Sequence, residues 1–447
     1  MSVHISEHFT FKKISKITAF PIIMMLFISL YSVVDGLFIS NFSNNDAFAA
    51  VNLIFPLIMI IGSIGFMLGA GGTALVSKYL GEQNKEKANK TFSLIVYATI
   101  TFGVFFSIFG ALLIKPIVYL LASLSKESAQ GMIDYAIMYG QVMMLGQIAF
   151  MLQNVFQSFF LVAEKGRTGF FFVLAAGITN IILDALFVAV LKMGILGAAL
   201  GTIIGYIIGG FGPLLYFILK KDLPINLGKA ELSLKDLFKS LYNGMSEFVS
   251  NISMSLVTII YNAQLLKAFG VNGVSAYGVV CYVSFLFVAI FIGYSIGMAP
   301  TVGYNYGAQN KKELHNMLKK SLIIIGSISI LMCAFSLVAS HTIAVLFSRG
   351  EEELIALATT AMIIYSFAYL AMGFSIYSSS FFTALNNGAV SAIISLCRTL
   401  IFQIALAFLF PLIFGDKSLW WAIVTGEILS VILSSIFLLT MRKKYGY

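Results

Sequence analysis

The chain has 447 residues, of which 59% are hydrophobic and only 11% are charged. A soluble domain carries roughly 25% charged residues, so this composition excludes a chain that buries its apolar surface in one aqueous core. We count twelve apolar stretches long enough to cross a bilayer, with no polar region between them large enough for a soluble domain. The stretches are continuous and do not alternate, which predicts membrane helices and not a β-barrel.

The net charge of +9 is distributed unevenly along the chain. Of the 28 Lys and Arg residues, 21 lie in the two terminal segments and the even-numbered loops. Arg398 lies inside a predicted span, and the opposite side has only six: Lys115, Lys126, Lys192, Lys267, Arg349 and Lys417. The positive-inside rule therefore predicts a multi-pass protein of the cytoplasmic membrane with both termini in the cytoplasm. Topology explains the basic charge, and no nucleic acid partner is needed.

Short loops join most of the predicted spans. The spans are 14–40, 47–77, 91–122, 130–161, 168–190, 194–219, 237–268, 271–304, 318–347, 354–384, 388–413 and 418–441. The longest polar stretch falls midway, so we predict an N-terminal lobe of six helices (1–219), a cytoplasmic linker (220–236) and a C-terminal lobe of six helices (237–447).

Two motif pairs indicate that the lobes repeat one another. The sequence GEQNK at 81–85 matches GAQNK at 307–311, at an offset of 226. Phe-Phe at 159–160 followed by Gly166 matches Phe-Phe at 381–382 followed by Gly388, at an offset of 222. Because each lobe has an even number of spans, both lobes run in the same direction, and an axis along the membrane normal should relate them. A cavity between two such bundles is the usual place for a transported solute.

Asp35 is a carboxylate deep in the first apolar span. A carboxylate there costs several kcal/mol unless it is protonated, paired or facing water, and such residues usually mark an ion or substrate path. Tyr31 and Asp35 are four residues apart, as are Asn180 and Asp184, so each pair shares one face of its helix. Burial and mutual repulsion favour the binding of a proton by two such carboxyl groups, and their oxygens also suit a sodium ion. The alternatives are a helix-locking hydrogen bond for Asp35 and simple satisfaction of Asp184 by Asn180.

The chain resembles the multidrug and toxic compound extrusion (MATE) family, in its DNA-damage-inducible-F-like or MepA-like bacterial and archaeal branch. The residues that carry the resemblance are AFP at 19–21, VDGLFI at 34–39, NIILD at 180–184, GILGAALGT at 194–202 and the two GxQNK loops. The resemblance implies the all-α MATE fold of the MOP superfamily, with twelve transmembrane helices in two pseudo-symmetric bundles. It also implies H⁺ or Na⁺ as the coupling ion, no other cofactor, an organic cation or other amphipathic solute as substrate, contact with membrane lipid, and a monomer.

The same resemblance implies a cation site in the N-terminal lobe. The matching positions are Tyr31, Asp35, Tyr139, Asn154, Asn180, Asp184 and Thr202. Na⁺ would be held by Asp35, Asn180 and Asp184. The three positions Tyr139, Asn154 and Thr202 are placed by span and spacing alone. Family members of other branches couple through a glutamate in the seventh span, which corresponds to Glu247.

Three further residues interrupt apolar surroundings. Arg398 in the eleventh span should pair with Glu427 or Glu247, since an isolated buried charge is unfavourable, and we interpret Arg398 and Glu427 as a structural charge pair. Pro21 removes a backbone hydrogen bond from the first span. The resemblance implies that this helix bends at Pro21 as the cation site changes its protonation; the alternatives are a fixed kink or a helix start.

The motifs disfavour an enzyme. No phosphate-binding loop of the Gly-x4-Gly-Lys-[Ser/Thr] type occurs, which argues against ATP hydrolysis, and the four His and three Cys residues show no metal-binding pattern. We therefore predict a secondary antiporter that exports drug-like or organic-cation solutes by alternating access of two bundles. One alternative is a lipid-linked oligosaccharide flippase of the same superfamily, although such proteins commonly have fourteen spans and a cationic cavity. A membrane enzyme or binding protein is the other.

Overall fold

The computed structural model describes residues 4–42, 45–124, 130–347 and 351–447. Within these ranges the chain is helical and has no strand. The helices of the N-terminal half are α1 (Phe11–Phe42), α2 (Asn45–Gly81), α3 (Lys85–Leu124), α4 (Gln130–Leu145), α5 (Gln147–Val162), α6 (Gly166–Asp184) and α7 (Gly194–Leu219), with a π-helical segment at Ala185–Val190.

The C-terminal half continues in the same manner. Its helices are α8 (Leu234–Asn243), α9 (Met245–Gly307), α10 (Lys311–Phe347), α11 (Glu352–Ser366), α12 (Ala368–Ala384), α13 (Gly388–Leu396), α14 (Phe402–Phe414) and α15 (Leu419–Tyr445). A π-helical segment at Cys397–Ile401 joins α13 to α14, and a 3₁₀ turn at Asp416–Ser418 precedes α15.

The described residues contain nine helices that are long and apolar enough to cross a membrane, or up to eleven spans if each bent helix pair is counted as one. One of them, α9, has 63 residues and is interrupted at Gly270 (φ 64°, ψ −156°). A straight helix of that length would extend about 95 Å, three times the ~30 Å of a hydrocarbon core, so α9 contains two crossings. The number of twelve spans stays a prediction. Lys126 and Arg349, used above for topology, lie outside the described residues.

Three spans that were expected to be continuous are broken. The axis bends by 51° between α4 and α5 and by 48° between α11 and α12. The seventh span, predicted as one helix over 237–268, is interrupted between α8 and α9 at Gly244 (φ −90°, ψ 5°). A Cβ at Gly244 would overlap the carbonyl oxygen of Met67, so α2 and the start of α9 approach too closely there for a larger residue. The helix α8 begins at Leu234, within the range assigned to the linker, and the division into two lobes and a linker stays a prediction.

The packing of α2 against α9 shows the internal repeat directly. A Cβ at Gly81 would overlap the carbonyl oxygen of Tyr304, and a Cβ at Gly307 would overlap the carbonyl oxygen of Lys78. Both residues of the first contact differ from those of the second by the sequence offset of 226. Reciprocal contacts of this kind are expected when two copies of one unit pack about a two-fold axis.

The connection between α7 and α8 is packed, although its sequence is polar. Leu223, Ile225 and Leu227 are buried in the apolar cluster that includes Phe92 of α3. The backbone N–H of Gly228 donates to Ser93 Oγ at 3.0 Å, and its carbonyl accepts from the Tyr97 hydroxyl at 2.9 Å. The connection is therefore fixed along α3.

Candidate cation site

Asp35 and Asp184 meet between α1 and the end of α6. Their carboxyl groups lie close enough to interact with each other. Asp184 is fully buried, and Asp35 is half-buried with its Oδ1 atom out of contact with solvent. Two ionised carboxylates about 4 Å apart repel by about 4 kcal/mol at an effective dielectric constant of 20. That repulsion exceeds a typical hydrogen bond, so the pair requires a cation or a proton to be stable.

Several oxygens at this point have no hydrogen-bond partner. Both carboxylate oxygens of Asp184, Oδ1 of Asp35 and Oδ1 of Asn180 are buried and accept no hydrogen bond from any described residue. The amide of Asn180 is near enough to Asp184 to interact electrostatically but is not hydrogen-bonded to it. Because unsatisfied buried oxygens are rare and costly, this cluster of acceptors favours a site that binds a cation.

The local backbone explains how Asp184 enters the site. The α-helical hydrogen bonding of α6 ends at Asp184, and the π-helical segment begins at Ala185. Such segments are rare, and they are frequent at functional sites. Across from it, α7 presents Gly201, where an added Cβ would lie 2.6 Å from Asp184 Oδ1. An alanine at position 201 would therefore force this carboxylate to shift.

Polar side chains from four helices complete the surroundings. The Asn180 amide donates to the Thr202 hydroxyl at 3.4 Å, and that hydroxyl donates to the carbonyl of Ala198 at 2.9 Å. Tyr139 of α4 is 3% exposed and lies within electrostatic range of both carboxylates. Tyr31, one turn before Asp35 on α1, interacts with Asp35 as well. The structure thus brings together six of the seven residues named for this site.

Asn154 is the exception, and two unanticipated residues are present. Asn154 is buried, but it makes no hydrogen bond to these residues, and its Nδ2 has no partner in the described chain. Its neighbour Gln153 instead interacts with Tyr31 and faces Gly209 of α7. Tyr206, also on α7, lies within electrostatic range of Tyr31 and Asp35. Sequence offered a signal for Gln153, since it is an amide inside an apolar span, but not for Tyr206 among 20 tyrosines.

The C-terminal half arranges its charges differently. Arg398, in its π-helical segment, donates from Nε to Glu427 Oε2 of α15 at 2.9 Å, and both side chains are largely buried. Glu247 is not the partner of Arg398. It lies near the start of α9, and within the described ranges its carboxylate forms no ion pair and no hydrogen bond. No group of three or more His, Cys, Asp or Glu side chains in the described residues could hold a metal ion.

Pro21 lies inside α1, which excludes the helix-start alternative. It is buried where α1 crosses α9, since a Cβ at Gly293 would lie 2.8 Å from the Pro21 carbonyl oxygen. A change in the bend of α1 at Pro21 would therefore alter the contact between the two halves of the chain.

The fold and this site define a duplicated, multi-pass helical membrane protein with an acidic pocket in its first half. A sequence model of the MatE family matches residues 21–186 and 248–409. The two segments start 227 residues apart and end 223 residues apart, close to the offsets of the motif pairs. The chain therefore belongs to the MATE family of multidrug efflux transporters, whose members are not enzymes and need no cofactor.

Individual relatives agree along nearly the whole length. The multidrug export protein MepA of Staphylococcus haemolyticus is 24% identical over 94% of this chain and 92% of its own. A crystal structure of MATE in complex with MaL6 superposes with a TM-score of 0.92 at 22% identity, covering 98% of this chain and 97% of that one. A multidrug resistance MATE family transporter in its outward-facing conformation gives a TM-score of 0.91 at 22% identity, covering 98% and 96%. The predicted family and the all-helical MATE fold are confirmed, and the count of twelve helices stays a prediction.

Proposed function

We propose that this protein is a cation-coupled antiporter that exports organic cations or other amphipathic, drug-like solutes across the cytoplasmic membrane. H⁺ or Na⁺ binds at Asp35 and Asp184 and drives the exchange. The observation that carries the proposal is the contact between two membrane-embedded carboxyl groups whose oxygens are mostly without donors. The name of the staphylococcal relative, a multidrug export protein, supports the direction of transport and the class of solute.

The site gives a physical reason for exchange. Without a cation, the two carboxylates repel each other and attract any positive charge, including that of a cationic solute. Binding of one H⁺ or Na⁺ neutralises one of the two negative charges and so weakens the attraction for the solute. Asn180 Oδ1 and the Thr202 hydroxyl are additional oxygen ligands for Na⁺, whereas a proton needs only the two carboxyl groups.

The remaining roles follow from position. Charge neutralisation at Asp35 changes the bend of α1 at Pro21, and because Pro21 lies against α9, the change reaches the second half. The two halves act as lobes that rock about the packed connection, with both chain termini in the cytoplasm. One chain contains both lobes, so a monomer suffices. Glu247 contributes a second, weaker cation site, and Asn154 acts indirectly through its neighbours.

Transport by the purified full-length protein in vesicles tests the proposal. Proton and sodium gradients are imposed separately while export of a fluorescent organic cation is followed. We expect Asp35→Asn and Asp184→Asn each to reduce gradient-driven export to the level of empty vesicles, since each removes one of the two negative charges. The gradient that drives wild-type transport identifies the coupling ion.

Asp134→Asn is the matched control. Asp134 is an exposed carboxylate on α4 that accepts a hydrogen bond from Gln130 at 3.1 Å, so the same chemical change there should leave export intact. Circular dichroism and size-exclusion profiles establish that each variant is folded. Gradient-driven export by a folded Asp35→Asn protein at the wild-type rate would refute the proposal.

A further inference from the structure

A cleft of about 630 Å³ lies between α2, α3 and α8, and neither Asp35 nor Asp184 lines it. Five lysines line it: Lys78, Lys87, Lys90, Lys235 and Lys239. Four acidic residues line it as well: Glu82, Glu86, Glu231 and Asp236. The cleft therefore belongs to the basic side of the protein, where the positive-inside rule places the negatively charged leaflet.

The acidic residues neutralise only part of this positive charge. Lys90 forms ion pairs with two of them, since its Nζ lies 2.8 Å from Glu86 Oε1 and 3.1 Å from Glu231 Oε2. Lys78 pairs with Glu82 at 3.4 Å. Asp236 accepts the Tyr79 hydroxyl at 2.8 Å, which leaves it one free oxygen.

Three ammonium groups remain without an ion pair within the described chain. Lys87 lies 4.3 Å from the centre of the Tyr79 ring, and Lys235 is exposed. Lys239 is half-buried within electrostatic range of Lys78 and Lys87, and also of the carboxylates of Asp236 and Glu82, with neither of which it forms an ion pair. Like charges converging on one cleft repel one another, so an anion held between them lowers the energy of the cluster.

The exposed face of α8 is apolar, although the helix carries two of the lysines. Leu234, Phe238 and Tyr242 repeat every four residues, and they are 57%, 65% and 56% exposed. The polar side of the helix points inward, because Asp236 and Ser240 are buried. This orientation is the reverse of that on a soluble protein, and it matches a helix lying at the boundary of headgroups and acyl chains.

We propose that this cleft binds an anionic phospholipid, with the headgroup phosphate among Lys78, Lys87 and Lys239 and an acyl chain along Leu234, Phe238 and Tyr242. A free phosphate ion would satisfy the lysines but leave the apolar face of α8 in water. A phospholipid has both an anionic phosphate for the lysines and an acyl chain for the apolar face, and the two are separated by no more than the length of the short helix α8. The helix also packs against both halves, as its carbonyl groups at Ser240 and Tyr242 leave no room for a Cβ at Gly71 and Gly388. A bound lipid would thus stabilise the junction between the lobes.

Fluorescence quenching in reconstituted vesicles tests this site on the full-length protein. Phe238→Trp places a reporter on the exposed face, and the signal of the two native tryptophans is subtracted with the unmodified protein. Vesicles contain the same fraction of brominated phosphatidylglycerol or brominated phosphatidylcholine. We expect phosphatidylglycerol to quench this reporter at least about twice as strongly, since lysines near the membrane surface attract anionic lipid. Leu215→Trp, 56% exposed on α7 and also four residues from its helix end, should show no such preference.

Lysine substitutions assign the preference to the cleft. Adding Lys87→Gln and Lys239→Gln to the reporter protein should abolish it. Adding Lys311→Gln and Lys312→Gln, on the same side but outside the cleft, should preserve it. Equal quenching by the two lipids, or a preference that survives loss of Lys87 and Lys239, would overturn the proposal. The preference should persist when inorganic phosphate is added at constant ionic strength, because a phospholipid also covers the apolar face of α8; a preference that phosphate abolishes would overturn the assignment of the acyl chain to that face.

Discussion

The two halves of this protein are copies of one unit, but they differ in whether their buried charged side chains have a partner of opposite charge. At the offset of 222, Arg398 and Glu427 of the second half correspond to Ala176 and Gly205 of the first half. Those two small residues touch, since a Cβ at Gly205 would lie 3.0 Å from the Ala176 carbonyl oxygen. In the first half, therefore, the two helices touch through small residues. At the equivalent place in the second half, an ion pair lies between the helices.

The converse holds at the acidic site. At the same offset Asp184 corresponds to Leu406, and at the offset of 226 that relates the early spans of the two halves Asp35 corresponds to Tyr261, so the second half has no carboxylate at either position. The Arg398–Glu427 pair is electrically neutral and geometrically satisfied, whereas Asp35 and Asp184 carry charge of the same sign. From this difference we infer that a buried charge indicates an ion pathway only when no opposite charge of the protein is paired with it.

The largest effect that we expect comes from breaking the compensated pair. Arg398→Met removes the cation and leaves Glu427 buried and unpaired, which should lower the free energy of unfolding by about 3–5 kcal/mol. Thermal unfolding in detergent measures the change. The double variant Arg398→Met, Glu427→Gln should recover most of the stability and should still transport. A double variant that is stable but unable to transport would show that this pair also works in coupling.

A smaller effect is expected from crowding the uncompensated site. Gly201→Ala places a Cβ 2.6 Å from Asp184 Oδ1, so the carboxylate must shift. Overpacking of this kind costs about 1–3 kcal/mol, and export should fall with it. Gly278→Ala is the control, because no atom lies within 4 Å of a Cβ there and alanine favours a helix over glycine by about 1 kcal/mol. Equal export rates for Gly201→Ala and Gly278→Ala would show that Gly201 does not determine the position of Asp184.

Glu247 tests whether coupling is confined to the first half. Glu247 has no second carboxylate beside it, unlike Asp35, which lies against Asp184. Glu247→Gln therefore removes one negative charge but relieves no repulsion between carboxylates. We expect export to fall by a smaller factor than in Asp35→Asn under the same gradient, as measured by initial rates in vesicles. Equal loss in the two variants would mean that both halves bind the coupling ion with similar importance.

Sequence predicted the parts of this structure that depend on composition and regular spacing. The apolar runs predicted the helices, and the i, i+4 spacing of Asn180 and Asp184 placed both on the face that lies against α7. The break at Gly244 was not predicted, because it depends on the approach of Met67 from a distant part of the chain. Gln153 was missed in favour of Asn154, since adjacent residues differ by about 100° around a helix and only tertiary packing selects between them.

The smallest expected effect concerns the N-terminal segment, which is bonded to both halves. Glu164 lies 2.6 Å from His4 and accepts the backbone N–H of Ile5 at 2.9 Å. In the other half, Glu313 lies 2.7 Å from His8, accepts the N–H of Phe9 at 2.8 Å and also accepts the Asn316 amide. Phe9 is fully buried, whereas His4 is exposed. The segment is thus held more firmly by the second half.

Hydrogen exchange of the backbone amides between 4 and 10 measures this asymmetry. A hydrogen bond to a charged group contributes about 1.5–3 kcal/mol, so Glu313→Gln should lower the protection of the Phe9 amide by roughly tenfold. Glu164→Gln should lower the protection of Ile5 by less, because that end is already open to water. Glu7→Gln is the control: the Lys13 ammonium, 2.6 Å away, holds the pKa of the Glu7 carboxyl below its usual range, but Glu7 does not bond the Phe9 amide and this pair is partly exposed. Its removal should leave the Phe9 amide unchanged. Unchanged protection of Phe9 in Glu313→Gln would show that the segment is held by burial of Phe9 and not by its hydrogen bond to Glu313.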